Sequence, residues 1–112
     1  MPRILHVEHE AIPLDEENFL LIHAQWSLAF VNALAQTLSI TLTPLHWAMI
    51  TSAREHYKET GKVPTLKYLV DWLRKQENFK NLSSADLYHG FTEQPLKQTC
   101  QLAGLPKPPH CL

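Results

Sequence analysis

The chain has 112 residues, 45% of them hydrophobic and 19% charged, with a formal net charge of −1. A chain of this size buries roughly two thirds of its unfolded surface without metal or disulfide help, so a single domain over residues 1–112 is expected. The near-neutral balance excludes a general nucleic-acid binder that works by neutralising phosphates, and MPRILHVEHEAIPL is neither a secretory signal nor a membrane span, which points to the cytoplasm.

The expected fold is mainly α (α+β): a small β element over 1–22, a helical body of about five helices over 24–103, and a mobile arm over 104–112. The first strand is read at Ile4, Leu5 and Val7 and its partner at Phe19-Leu20-Leu21, with Pro13 and the acidic Asp15-Glu16-Glu17-Asn18 run between them as a turn. From Trp26 the period changes, and Trp26, Ala29, Phe30, Ala33, Leu34 and Leu38 fall on one face of a helix. Thr43 can cap a second helix with Pro44 at its first position, running to about Lys58 with Trp47, Ile50, Ala53 and Tyr57 inward and Gly61 at its end. Pro64 and Thr65 restart the chain into a third helix that buries Leu66, Leu69, Val70 and Leu73. After the loop QENFKNLSS, Ser83 or Ser84 caps a short helix carrying Leu87, Tyr88 and Phe91. A last helix starts at Pro95, carries Leu96, Cys100 and Ala103 on one face, and stops at Gly104.

Beyond Gly104 the chain reads LPKPPHCL, too rich in proline to stay helical, so an extended arm is expected. It carries Cys111, which with Cys100 completes the cysteine inventory. A reducing compartment disfavours a permanent disulfide and favours reactive or transient thiols. The chain has no CxxC, and its seven His make neither a helical i,i+4 pair nor a zinc-type set with the cysteines, so neither a metal nor another cofactor is expected. Alone, Cys100 reads as a small buried hydrophobe, whereas a thiol at Cys111 has few neighbours to bury it. Extended, eleven residues carry the Cys111 sulfur roughly 35–40 Å from Cys100; folded back, the same arm brings the two within the ~7 Å that a disulfide needs. Gly104 is the expected hinge, Pro106, Pro108 and Pro109 stiffen the arm beyond it, and Lys107 and a protonated His110 act to raise the thiolate fraction of Cys111 while the terminal carboxylate acts to lower it.

KQTCQLAGLPKPPHCL resembles the C-terminal signature of the DsrC/TusE family of sulfur-trafficking proteins, in which KQ-x-C-x-x-AGLPKP-x-x-C and one apolar residue close the chain. LDEENFL is similar to that family's LDEDGFL, LTPLHWAMI to its L-T-x-x-H-W-x-x-I, and VPTLKYLV to its P-x-[IV]-R-x-L-x, so the likeness spans nearly the whole chain. The resemblance implies that Cys111 carries sulfane sulfur as a persulfide on the mobile arm, and that Cys100 is a second thiol able to close a disulfide or trisulfide. It also implies a sulfurtransferase-type carrier rather than a stand-alone enzyme, monomeric and served by sulfur-donor and sulfur-acceptor proteins. Because both cysteines are present, the likeness is greater to DsrC, the partner of dissimilatory sulfite reductase, with a TusE-type role in the tRNA 2-thiouridine relay as the alternative. GFTEQPLKQ replaces LFPxGPAKQ, PKPPHC replaces PKPTGC, and Lys67 stands where the family usually has Arg; Lys67 and Lys97 are the candidate partner-docking cations.

Two other roles compete. The second and third helices, joined by GKVPT, have the form of a helix-turn-helix DNA-binding regulator, though Lys67, Arg74 and Lys75 against Asp71 make a thin basic face. A plain thiol-disulfide redox couple would use the same two cysteines without carrying sulfur.

Overall fold

The computed structural model describes residues 3–109 and folds them into an antiparallel ribbon, β1 (Arg3–Val7) and β2 (Glu10–Leu14), followed by five helices. These are α1 (Leu28–Thr37), α2 (Pro44–Thr60), α3 (Leu66–Arg74), α4 (Ser84–Gly90) and α5 (Pro95–Ala103), with short 3-10 turns at His23–Gln25 and Glu77–Phe79. The α+β architecture with five helices matches expectation. No helix among the described residues is long and apolar enough to cross a membrane.

The ribbon corrects the expected pairing. β2 is Glu10–Leu14, in the register Leu5 opposite Ile12 and Val7 opposite Glu10, and it contains Pro13. A two-stranded ribbon has two edges, so the missing N–H of Pro13 removes no ladder bond. Alternation turns Val7, Ile12 and Leu14 into the core and leaves Ile4 and His6 outside. Phe19–Leu21 does not form a strand; Leu20 makes one isolated bridge to Leu14. Asp15 explains why: its carboxylate accepts from the Glu17 and Phe19 amides at 2.8 and 2.9 Å, and Asn18 adopts φ +68°, so the chain turns back immediately after β2.

Ser27, Thr43, Thr65 and Ser83 cap α1 to α4, and α5 starts at Pro95 without a side-chain cap. Ser27 accepts from the Phe30 amide, so α1 starts at Leu28 and Trp26 stands outside the helix in which it was expected. The buried face of α1 is Phe30, Val31, Leu34 and Ala35. α1 ends in a Schellman closure, Ile40 N–H to Ala35 O and Ser39 N–H to Gln36 O, with Ser39 at φ +59°. Thr43 and Gly61 bound α2 as expected, but its deepest residues are His46, Met49, Ile50, Ser52 and Ala53, and Trp47 and Tyr57 are only half-buried. Thr65 caps α3, which buries Leu69, Val70 and Leu73. α4 buries Leu87 while Tyr88 is exposed, against expectation, because Leu87 and the following Phe91 take the inward positions.

His46 ties the start of α2 to the end of α4. Its Nε2 lies 2.6 Å from the Gly90 carbonyl, which can only accept, so Nε2 carries the proton. Nδ1 then accepts from the Thr43 amide at 3.1 Å and its hydroxyl at 2.7 Å. The imidazole packs on Phe91 with ring centroids 4.6 Å apart, and a Cβ on Gly90 would sit 2.9 Å from its Cε1. Replacing His46 by Ala leaves a cavity, an unpaired amide and an unpaired carbonyl in the core. The expected loss is about 2–4 kcal/mol of unfolding free energy in a urea titration, and a loss below ~1 kcal/mol would show that the histidine is not a tie.

Candidate functional site at the root of the C-terminal arm

α5 is buried all round. Pro95, Leu96, Gln98, Thr99, Cys100, Gln101, Leu102 and Ala103 are all inaccessible, and of its side chains Lys97 alone reaches the surface appreciably. The expected single face of Leu96, Cys100 and Ala103 is therefore only part of its burial. Gln98 is satisfied inside, accepting from the Glu93 amide and donating to Thr92 Oγ1, whereas Gln101 donates Nε2 to the Glu17 carbonyl at 2.6 Å while its Oε1 is buried without a partner.

The helix ends in a second Schellman closure, and this closure is the root of the arm. Gly104 at φ +70° lets its own amide reach Gln101 O at 3.3 Å and the Leu105 amide reach Cys100 O at 3.0 Å. The first arm residue is thus bonded to the backbone of the buried cysteine. A Cβ at position 104 would lie 2.7 Å from Trp26 Cδ1, so glycine is required here for close packing as well as for its φ.

Three side chains from elsewhere hold the last carbonyls of this turn, which a helix end otherwise leaves unpaired. Trp26 Nε1 donates to Leu102 O at 2.9 Å, Arg54 Nη1 to Ala103 O at 2.8 Å and His23 Nδ1 to Gly104 O at 3.0 Å. The Arg54 guanidinium stacks over the Trp26 ring, its central carbon 3.6 Å from the ring centroid, and burial lowers its pKa. The Arg54 cation also complements the negative end of the helix dipole.

Past the root, Leu105 and Pro108 are buried while Pro106 and Pro109 are exposed. Lys107 Nζ meets Glu17 Oε2 at 2.7 Å, and Lys97 Nζ approaches Glu17 Oε1 at 3.8 Å. The hydrogen bond from Lys107 is the main reason the Glu17 carboxyl titrates below its ordinary range. That pair is complete at neutral pH and is lost only as pH falls through the lowered value. Lys97 also lies 4.0 Å from Glu93, so this expected docking cation is engaged locally; Lys67, on the exposed side of α3, pairs with Asp71 at 2.9 Å. Cys100, Gly104, Lys107 and Pro108 are thus gathered at one place, Lys67 sits on another element, and His110 and Cys111 lie outside the described residues.

Cys100 is fully buried, and burial pushes its thiol up to about 12. Almost no thiolate exists at neutral pH, so Cys100 cannot attack another sulfur while the root is closed. Sequence reading missed His23, Arg54, Glu17 and Gln101, and it put Trp26 on a helix face. Their bonds to α5 or the arm span 49 to 90 residues, from Arg54–Ala103 to Glu17–Lys107, beyond the reach of any local pattern. One signal was present: from Gln98 to Gly104 the sequence has no charged residue on any face, as a helix buried all round requires.

A small α+β body whose last helix is buried and closes on a proline-rich arm behind a cysteine defines a distinct class of protein. The chain belongs to the DsrC-like family: the family model described as "DsrC like protein" matches residues 6–112. Among curated relatives, the sulfurtransferase TusE homolog of Haemophilus influenzae is 36% identical over 109 residues, covering 97% of this chain and all of the relative. The sulfurtransferase TusE of Escherichia coli K12 is 32% identical with the same coverage. Among solved structures, Allochromatium vinosum DsrC superposes with a TM-score of 0.86 at 31% identity over the whole of both chains. The oxidized gamma-subunit of dissimilatory sulfite reductase (DsrC) from Archaeoglobus fulgidus gives 0.86 at 29%, covering 98% of this chain and all of that one.

Two outcomes follow from this geometry. Iodoacetamide should leave Cys100 unmodified in the folded protein at pH 7.5 and label it fully in guanidinium chloride, as read by peptide mass spectrometry; rapid native labelling would contradict its burial. In Glu17→Gln, the Lys107 amide should gain fast motion in ¹⁵N relaxation while the Leu105 amide, held by Cys100 O, does not. Loosening of both together would mean that the ion pair, not the helix closure, holds the root.

Proposed function

We propose that the chain is a protein sulfur carrier that loads sulfane sulfur on Cys111 and passes it to partner enzymes. Loading is an exchange: the Cys111 thiolate attacks the outer sulfur of a donor persulfide, Cys111–S–SH forms, and the donor leaves as its thiolate, with no net oxidation of the pair. Discharge to an acceptor repeats the step in the other direction. If Cys100 becomes accessible, its thiolate can attack the inner sulfur of Cys111–S–SH, releasing hydrogen sulfide and leaving a Cys100–Cys111 disulfide.

The observation that carries this reading is the buried Cys100 bonded through its carbonyl to the first residue of the arm. A carrier must keep its cargo from its own second thiol until the cargo is wanted, and a thiol with a pKa of about 12 is silent at rest. Opening the arm root breaks the Leu105–Cys100 bond and uncovers that thiol in a single event. Family membership and the TusE and DsrC relatives support the same role. The second cysteine favours a DsrC-type partner with sulfite reductase chemistry, while the sulfurtransferase relatives favour a TusE-type relay; a cytoplasmic, monomeric protein suits both. Lys107 and His110 tune the arm, and Lys97 holds Glu17 in place for Lys107.

Incubation with a persulfide donor should add ~32 Da to the tail peptide of wild type and of Cys100→Ser, and nothing to Cys111→Ser. Sulfide release from the loaded protein after mild denaturation should disappear in Cys100→Ser. A mass loss of two hydrogens without any sulfur gain would replace the carrier with a plain redox couple.

A further inference from the structure

A groove of about 740 Å³ opens beside the arm root, with Trp26, Leu28, Trp47 and Ile50 on its apolar side and Leu105 on its floor. Its polar side holds Arg54, Lys58 and Glu55, two cations against one carboxylate. Arg54 is partly buried and has no carboxylate within ion-pair distance among the described residues; of its five donors, Nη1 is bound to Ala103 O. A cation withdrawn from water without an anion is poorly compensated even with an aromatic face beneath it, so the groove is electrostatically incomplete.

The lip of the groove is apolar as well. Leu28 is 62% exposed, and Leu21 and Ile22, at 53% and 48%, immediately precede the groove residue His23. Among the described residues, three of the five exposed large hydrophobic ones therefore fall within residues 21–28, a concentration that marks an interaction surface rather than scattered surface chemistry. The apolar lip extends past the groove itself and so past a small ligand, and the net charge of −1 does not favour a polyphosphate chain.

The geometry points to a docking surface for a partner protein that places a large apolar side chain in this groove next to a carboxylate that pairs with Arg54. The surface rests on the carrier reading, since a carrier must meet the enzymes it serves, and it adds a consequence for the arm. Arg54 holds the Ala103 carbonyl, and a carboxylate is the stronger acceptor for a guanidinium. Docking draws Arg54 off the last turn of α5, two residues from the arm, so partner binding and loosening of the arm root are coupled.

The test uses full-length Cys111→Ser protein as target for a displayed random heptapeptide library, with Cys111→Ser/Leu28→Asp protein as counter-target. Enriched peptides should combine Asp or Glu with a neighbouring Leu, Ile, Phe or Trp, and should shift the Trp26 indole N–H and the Leu105 amide in ¹⁵N spectra. Asp→Asn or Glu→Gln in the peptide, or Lys58→Glu in the protein, should weaken binding at least ~10-fold. Lack of enrichment, enrichment without acidic residues, or unchanged binding to the Leu28→Asp protein overturns the proposal. So does phenylacetate binding as tightly as the peptide, which would make the groove a small-molecule site, or a dimer in sedimentation that Leu28→Asp dissolves. Persulfide loading is read separately on wild type, so a carrier without this surface and a surface without carrier chemistry give different results.

Discussion

The hydrogen bond from the Leu105 amide to the Cys100 carbonyl is the constraint on which the rest of the molecule depends. It exists because Gly104 takes a left-handed conformation, and Gly104 fits because it has no Cβ to strike Trp26. Trp26, Arg54 and His23 then close the remaining carbonyls of the turn. Each such bond contributes about 1 kcal/mol net, so together they hold the root by several kcal/mol. That is enough to keep it closed at rest, and small enough for a binding partner to overcome.

Burial of α5 serves the same end. A helix surrounded by α1, α2 and the Asp15–Phe19 turn cannot shift without disturbing the core, so the position of Cys100 is fixed to the accuracy of the packing. The Lys107–Glu17 contact is of another kind, a half-exposed ion pair at 2.7 Å that water and salt weaken. The arm is thus held in two layers, an inner one of backbone bonds and an outer one of charge.

What the sequence made legible was whatever is decided within a few residues. Thr43-Pro44, Gly61, Thr65, Ser83 and Gly104 marked helix ends correctly because caps and left-handed stops are local chemistry. β2 was misplaced because Pro13 reads as a breaker unless the strand is known to lie at an edge, and because the Asp15 turn removes Phe19–Leu21 from the ribbon. The burial of Cys100 and the helix stop at Gly104 were likewise readable, and so was the resemblance of this stretch to a family signature. The clamp around them was not: Trp26 looked like one more apolar helix residue, and Arg54 and His23 carry no mark until the fold brings them to α5.

The prolines of the arm also decide the kind of surface that can receive it. Between Pro106 and Pro109 the backbone presents four carbonyls and a single N–H, that of Lys107. Such a segment cannot extend a β-sheet on a neighbouring chain, because a ladder needs donors that it lacks. Any cleft that grips it by its backbone must therefore be a donor-rich one, lined with amides, arginines or hydroxyls, and two arms of this kind have almost nothing to offer each other.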